Sequence, residues 1–320
     1  MRKPLVTETL TSEELRTLVR LGHKALGADQ ETRRQLQSFK INVVPANFYS
    51  DIPTVSEFES SFEFKFPDGP YNTTSIFDPK TLSDFLAVLD AYADEFTPPA
   101  EGSREKPLGY FWGNPAFSYS DAMTYYCMLR HVKPKHVLEV GSGFSTLVAL
   151  AAIEKNGFGK LSCIEPYPMP WLEALAPKVM LHKAPVQNFE ADFFNEQLRN
   201  GDVLFIDSTH TVKAGSDCLH LYLRILPQLC ADLTVHAHDI YLPFPMPRSD
   251  FERHIYWTEQ YLLLAYLLDN PRAKVLYGSR YHARFNPAAL DHFMRGRWRS
   301  GGASLWFSLR SKASVERLAQ

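Results

Sequence analysis

The chain has 320 residues, 45% hydrophobic and 22% charged, with a formal net charge of −2. That length allows one large domain or a domain with a substantial extension, and the composition is that of a globular chain rather than a disordered or fibrous one. The near-neutral balance gives no reason to expect nucleic acid or a membrane surface as partner, and no apolar run approaches a membrane span. Four cysteines, Cys127, Cys163, Cys218 and Cys230, are scattered without a CxxC pair. They read as free thiols in a reducing compartment. The opening MRKPLVTETLTSEEL lacks the apolar core of a signal peptide, so a cytoplasmic location is expected.

Thr11 and Ser12 followed by Glu13 and Glu14 mark a helix start, and residues 13–38 place Leu and Val among charges at helical spacing. Residues 39–60 show little periodicity and read as a surface crossover. Asp78 precedes an amphipathic helix carrying Leu82, Phe85, Leu86 and Leu89. Residues 97–107, rich in proline, glycine and charge, are the expected linker. Accordingly residues 1–108 are expected to form a mainly helical extension that lids the site, and 109–320 the catalytic domain. Thirteen per cent of the chain is aromatic, and much of that lies outside the core strands. The segment 109–120 is aromatic and leads into a helix over 121–131. Its Tyr110, Trp112 and Asn114 are candidates for a substrate pocket, with pure packing as the alternative.

Residues 136–140 form a short apolar run, long enough for a buried strand. Gly141, Ser142 and Gly143 break it, and Ser145 and Thr146 can cap a helix that ends at Asn156 and Gly157. A second buried run, 161–164, stops at Glu165. Strand, glycine turn, helix, strand is half of a doubly wound nucleotide-binding fold. Two glycines let backbone approach a ligand. An acid about twenty residues further on can accept both hydroxyls of a ribose. The third glycine of a dinucleotide fingerprint is missing, and Glu139 stands just before the bend. A carboxylate there repels a pyrophosphate and suits the amino group and sulfonium of S-adenosylmethionine (SAM).

Further strands are expected at 179–182, 202–206, 233–237, 273–277 and 303–309, with a long amphipathic helix over 213–229 and another from 254 to about 268. Strand 202–206 ends at Asp207, with Ser208, Thr209 and His210 directly after; strand 233–237 ends at His238 and Asp239. Ligands in open α/β sheets sit beyond the carboxyl ends of the strands. These two polar clusters on strand tips are therefore the best catalytic candidates.

The segments VLEVGSGFST, CIEP, DVLFIDSTH and VHAHDI, in that order, resemble the motifs of the class I SAM-dependent methyltransferases, over roughly the last two thirds of the chain. The resemblance implies a doubly wound, seven-stranded Rossmann-like sheet with an antiparallel seventh strand. It implies SAM held by Glu139, Gly141, Ser142, Gly143, Ser145, Glu165 and Asp207, with Val186 against the adenine and Gln187 a weaker contact. Two catalytic readings stay open. Asp207, His238 and Asp239 could hold a divalent metal such as Mg, Mn or Fe, similar to catechol-type O-methyltransferases, although His238 and Asp239 stand where an acid and an amide are expected. Alternatively no metal binds, and His210 or His238 is the general base with Asp207 beside it; His254 is a third base candidate. The structural alternative is that the acids cap helices and the histidines pair with them. Tyr241 and Trp257 join the expected pocket. The basic run at 295–299 reads as a solvated loop.

The expected reaction is methyl transfer to a hydroxyl or amine of a small molecule. Non-methylating use of SAM (cyclisation, hydroxylation or aminocarboxypropyl transfer), a non-catalytic SAM-binding protein and, more remotely, a NAD oxidoreductase are the alternatives. The partner is a small-molecule acceptor, and a homodimer is compatible with the sequence.

Overall fold

The computed structural model describes residues 9–318; the first eight residues of the stretch read for a leader lie outside them. The described residues divide into two compact units, one running up to residue 67 together with 248–256, the other of 68–247 with those from 257 onward. Residues 68–108, expected in the extension, thus group with the strands. The reason is packing: in the helix Pro79–Asp90, capped by Asp78, the residues Leu82, Leu86 and Leu89 are buried in the same clusters as the sheet. The expected linker is also engaged, since Trp112 N donates to Pro99 O and Gly113 N to Ala100 O.

In the first unit the expected helix over 13–38 is two, Ser12–Leu26 and Gln30–Ser38, separated by Gly27 and by Asp29, which caps the second. Thr11 and Glu14 form the reciprocal capping box read from the sequence. Thr54 and Glu57 form another on Val55–Ser60. Phe58 stacks on Phe251 at 3.9 Å between ring centroids.

The second unit holds a seven-stranded sheet, as expected. Its strands are β1 His136–Val140, β2 Lys160–Ile164, β3 Met180–His182, β4 Val203–Ile206, β5 Leu233–Ala237, β6 Ala273–Gly278 and β7 Leu305–Leu309, in the order β3-β2-β1-β4-β5-β7-β6. β1 to β5 are parallel, while β7 pairs antiparallel with β5 and β6. Residues of β1, β2 and β4 are almost all buried because helices cover both faces, which is why they read as continuous apolar runs. Side chains alternate between two cores. Leu138, Val140, Ile164, Leu204 and Ile206 face one; Val137, Leu161, Cys163, Val203 and Phe205 face the other, against the helices Tyr119–Val132 and Phe144–Asn156. At the sheet's ends, β3 has three residues and lies between Lys178 and Lys183, and β6 is packed by the helix Pro79–Asp90.

Three element expectations change. The helix after β1 starts at Phe144, one residue after Gly143, so Ser145 and Thr146 lie inside it; Thr146 still serves the turn by accepting from Gly143 N at 3.2 Å. The long helix expected over 213–229 begins only at Asp217, because Gly215 has φ +75° and Ser216 is the cap. It then widens into a π turn, Leu221–Ile225, and ends in a tight turn at Pro227, which has no N–H to continue the ladder. The helix expected from 254 is Glu259–Leu267, leaving 254–258 irregular.

Candidate active site

Backbone ladders bring the expected residues to one edge of the sheet. Asp207 N donates to Val140 O at 2.8 Å, Gly141 N to Ile164 O at 3.0 Å, Glu165 N to His182 O at 3.0 Å and His238 N to Ile206 O at 2.9 Å. The tips of β1 to β5 are thereby locked side by side. Gly141 has φ +82°, and a Cβ there would overlap the carbonyl oxygen of Asp207. Only glycine allows β1 to turn away so close to β4. No heavy atom lies within 4 Å of a Cβ built on Gly143, so the turn presents bare backbone.

Glu165 closes this turn from β2. Its Oε2 accepts from Ser142 N at 3.2 Å and its Oε1 from Tyr167 N at 2.8 Å. Ser142 Oγ is buried with no hydrogen-bond partner, an orphan that a polar ligand in the turn would satisfy. Val186 and Ser145 are buried, and Gln187 instead donates to Gly215 O at 3.1 Å. The donor set fits a nucleoside bearing an amino-acid arm.

Glu139 is corrected. Its side chain points into the core, fully buried, where it accepts from Thr146 Oγ1 at 2.6 Å, Tyr125 OH at 2.9 Å and Cys163 Sγ at 3.3 Å. Burial pushes its carboxyl up, the three donors pull it back, and the balance lies at about 7. It ties β1 to β2 and two helices, and no cofactor contact remains for it.

The β4 and β5 tips carry a charged cluster. His210 Nδ1 lies 2.8 Å from Glu259 Oε2, and its Nε2 3.3 Å from Asp207 Oδ1 and 3.6 Å from Asp239 Oδ2. Glu259 is buried and also accepts from Ser208 Oγ at 2.6 Å and Tyr222 OH at 2.8 Å. His238 has Asp121 Oδ2 3.5 Å from Nε2, and Asp207 Oδ1 at 3.5 Å and Asp239 Oδ1 at 3.8 Å from Nδ1. Asp121 is further held by Ser279 Oγ at 2.6 Å and by the backbone of Ala303 and Ser304 at 2.9 and 3.1 Å. Both His210 and Asp239 adopt left-handed backbone, φ +59° and +53°, a strain that concentrates at functional sites.

Burial alone would lower both imidazoles, yet the surrounding carboxylates win. His210 rises to about 10, and His238 also lies well above its ordinary value. Burial raises Asp207, but His238 and His210 hold it well below the usual carboxylate range. Asp239 is raised: its burial outweighs the pull of His238 and His210, with Asp207 and Asp121 adding repulsion. The carboxylates around His210 and His238 thus favour their charged forms, which counts against either ring as the proton acceptor.

The metal reading also meets this geometry. Among the described residues no group of three or more His, Cys, Asp and Glu side chains is arranged to hold an ion. His210 Nε2 already faces both Asp207 and Asp239, so a positive charge lies where a cation shared by those carboxylates would go. The residues present do not fit a metal there.

Beside the cluster is a cavity of about 450 Å³, lined by residues that include Asn114, Ser118, His238, Asp239, Tyr241 and Arg280. Asn114 and Tyr241 line it. Tyr110 and Trp112 do not; both are core residues, packed on Phe96 at 5.5 and 5.4 Å. Asn114 organises their segment, bonding Phe111 O at 2.7 Å and Phe117 O at 2.8 Å. Trp257 lies 4.7 Å from the His210 ring and walls the cluster rather than the cavity. His254 belongs to the other unit. The basic run braces the turn after the helix Pro79–Asp90, through Arg295 to Asp90 and Asp94 and Arg297 to Phe96 O. Asp121 and Arg280 were not singled out by sequence as site residues, and Glu259 reads from sequence more readily as a polar residue of a helix start than as one facing the acceptor. They come from helices distant in the chain, and only the HDI tip hinted that its histidine needs an acid.

Residues 138–240 match a family model described as a methyltransferase domain. An uncharacterized protein of Archaeoglobus fulgidus is 29% identical over 157 residues, which are 47% of this chain and 71% of that protein. Among solved structures, the O-methyltransferase TomG from Streptomyces achromogenes, in complex with SAM, is 12% identical with a TM-score of 0.40, covering 81% of this chain and 99% of its own. An O-methyltransferase from Bacillus cereus, in complex with S-adenosylhomocysteine, is 13% identical with a TM-score of 0.36, covering 75% and 95%. No helix of the described residues is long and apolar enough to cross a membrane.

Proposed function

We propose that this chain, whose residues 138–240 match a methyltransferase-domain model, is a class I SAM-dependent enzyme that transfers a methyl group to a hydroxyl or amine of a small molecule, with Asp239 as the proton acceptor. SAM supplies an activated methyl group on a sulfonium. Gly141, Ser142, Gly143, Ser145, Glu165, Val186 and Asp207 hold it at the tips of β1 to β4. The acceptor enters the cavity beside Asp239. As its oxygen or nitrogen forms the new bond to carbon and the carbon–sulfur bond breaks, its proton passes to the Asp239 carboxylate.

The supporting observation is electrostatic. Of the ionisable groups at the cavity, His238 is held charged by Asp121, Asp207 and Asp239, Asp121 is saturated by four donors or cations, and Asp239 alone is a carboxylate with a raised pKa. Such a group is better matched to an incoming proton than an ordinary aspartate. His210 and His238 fix its position as neighbouring cations. The test is Asp239→Asn in the full chain, with phenols and amines offered as acceptors and S-adenosylhomocysteine read by mass spectrometry. Turnover should fall by ~100-fold or more, with affinity for S-adenosylhomocysteine retained. An unchanged rate refutes the base assignment, and methylthioadenosine as the nucleoside product refutes methyl transfer.

A further inference from the structure

The cavity beside Asp239 contains one cation that the protein leaves unanswered. His238 faces three carboxylates, and nearby arginines have acidic partners, Arg284 with Asp68, Arg295 with Asp90 and Asp94, and Arg297 with Asp94. Arg280 is different. Among the described residues it meets no carboxylate, and its Nε is buried with no hydrogen-bond partner. Its guanidinium carbon stands 4.8 Å from the centre of the Tyr241 ring, so the aromatic face fixes the plane of the fork while consuming none of its donors. A desolvated guanidinium donor without an acceptor is costly unless something binds it.

The chemistry of the missing partner follows. The Nε and Nη edge of a guanidinium matches the two oxygens of a carboxylate, which takes both donors in one plane. A doubly charged group such as a phosphate is disfavoured, because Asp121 and Asp239 line the same cavity. Its volume of about 450 Å³ suits a single small molecule. We propose that Arg280 binds a carboxylate of the acceptor, so that the substrates are small carboxylic acids whose hydroxyl or amine is delivered to Asp239. This rests on the reading of methyl transfer at Asp239 and narrows its substrate class.

The test compares two probes that share a ring and a hydroxyl and differ in charge, 4-hydroxybenzoate and 4-hydroxybenzamide. Each is titrated calorimetrically into the full chain, with and without saturating S-adenosylhomocysteine. The acid should bind at least about ten-fold more tightly than the amide. Arg280→Met should abolish that preference and Arg280→Lys should keep part of it, with affinity for S-adenosylhomocysteine the same in all three proteins, which also certifies their fold. Equal affinity for the two probes, including no detectable binding of either, overturns the proposal, as does a preference that survives Arg280→Met. Failure of S-adenosylhomocysteine to bind would instead overturn the methyl-transfer reading, while the acid-to-amide ratio without it still decides the role of Arg280.

Discussion

Replacing Glu259 by Gln tests whether a buried carboxylate keeps His210 charged. Glu259 is the nearest acid to that ring, 2.8 Å from Nδ1 against 3.3 Å for Asp207 from Nε2. The imidazole rises from 6.5 to about 10 in the fold. At ~1.4 kcal/mol per pH unit the whole gap corresponds to at most about 5 kcal/mol of stability. Because the folded value is the higher one, this contribution is fully present below 6.5 and is lost as the pH climbs towards 10. Removing one partner of a buried pair costs roughly 3 kcal/mol or more, so Glu259→Gln should lose about that much at neutral pH. Near pH 10, where His210 gives up its proton, a neutral imidazole can donate to the new amide oxygen, and the gap between variant and parent should close. Urea unfolding followed by tryptophan fluorescence, repeated from mildly acidic to alkaline pH, reads both features. Equal stability at neutral pH, or a deficit that does not change up to pH ~10, refutes the reasoning.

Other expectations concern the turn and the core. Gly141→Ala should abolish binding of S-adenosylhomocysteine in calorimetry, because the added methyl displaces the Asp207 carbonyl and the φ of +82° disfavours a side chain; full affinity would show that the bend does not shape the site. Glu139→Gln should leave that affinity within about two-fold, since the carboxylate faces the core. It should also alter the pH dependence of stability. With Glu139 raised from 4.5 to about 7, its contribution is complete below 4.5 and vanishes as pH rises through 7. The variant should therefore gain on the parent across that window in denaturant unfolding, and parallel curves would contradict the value.

How far the sequence carries depends on the range of the interaction concerned. The strands were legible because strands covered on both faces are mostly apolar, and β1 stops at Gly141 while β2, β4 and β5 each stop at a polar residue where the ladder ends. The glycine bend and Glu165 were legible for the same local reason. The state of His210 was not. It depends on Asp207 three residues away but also on Asp239 and Glu259, which the fold gathers from a strand tip and from the first turn of a separate helix. The orientation of Glu139 was hidden because a strand residue's face depends on which helices cover it. Residues 213–229 have an amphipathic pattern throughout, and the pattern says nothing of the π turn inside it.

The ends of the sheet bear on how copies of this chain can associate. A backbone edge recruits another strand when it is long, flat and uncharged. β3 offers three residues between two lysines, and β6 is masked by the helix Pro79–Asp90. A three-residue margin between lysines and one packed by a helix are poor templates, so an assembly that continues the ladder from one copy into the next is disfavoured. Pairing of copies through helices or loops would leave both margins of the sheet unused.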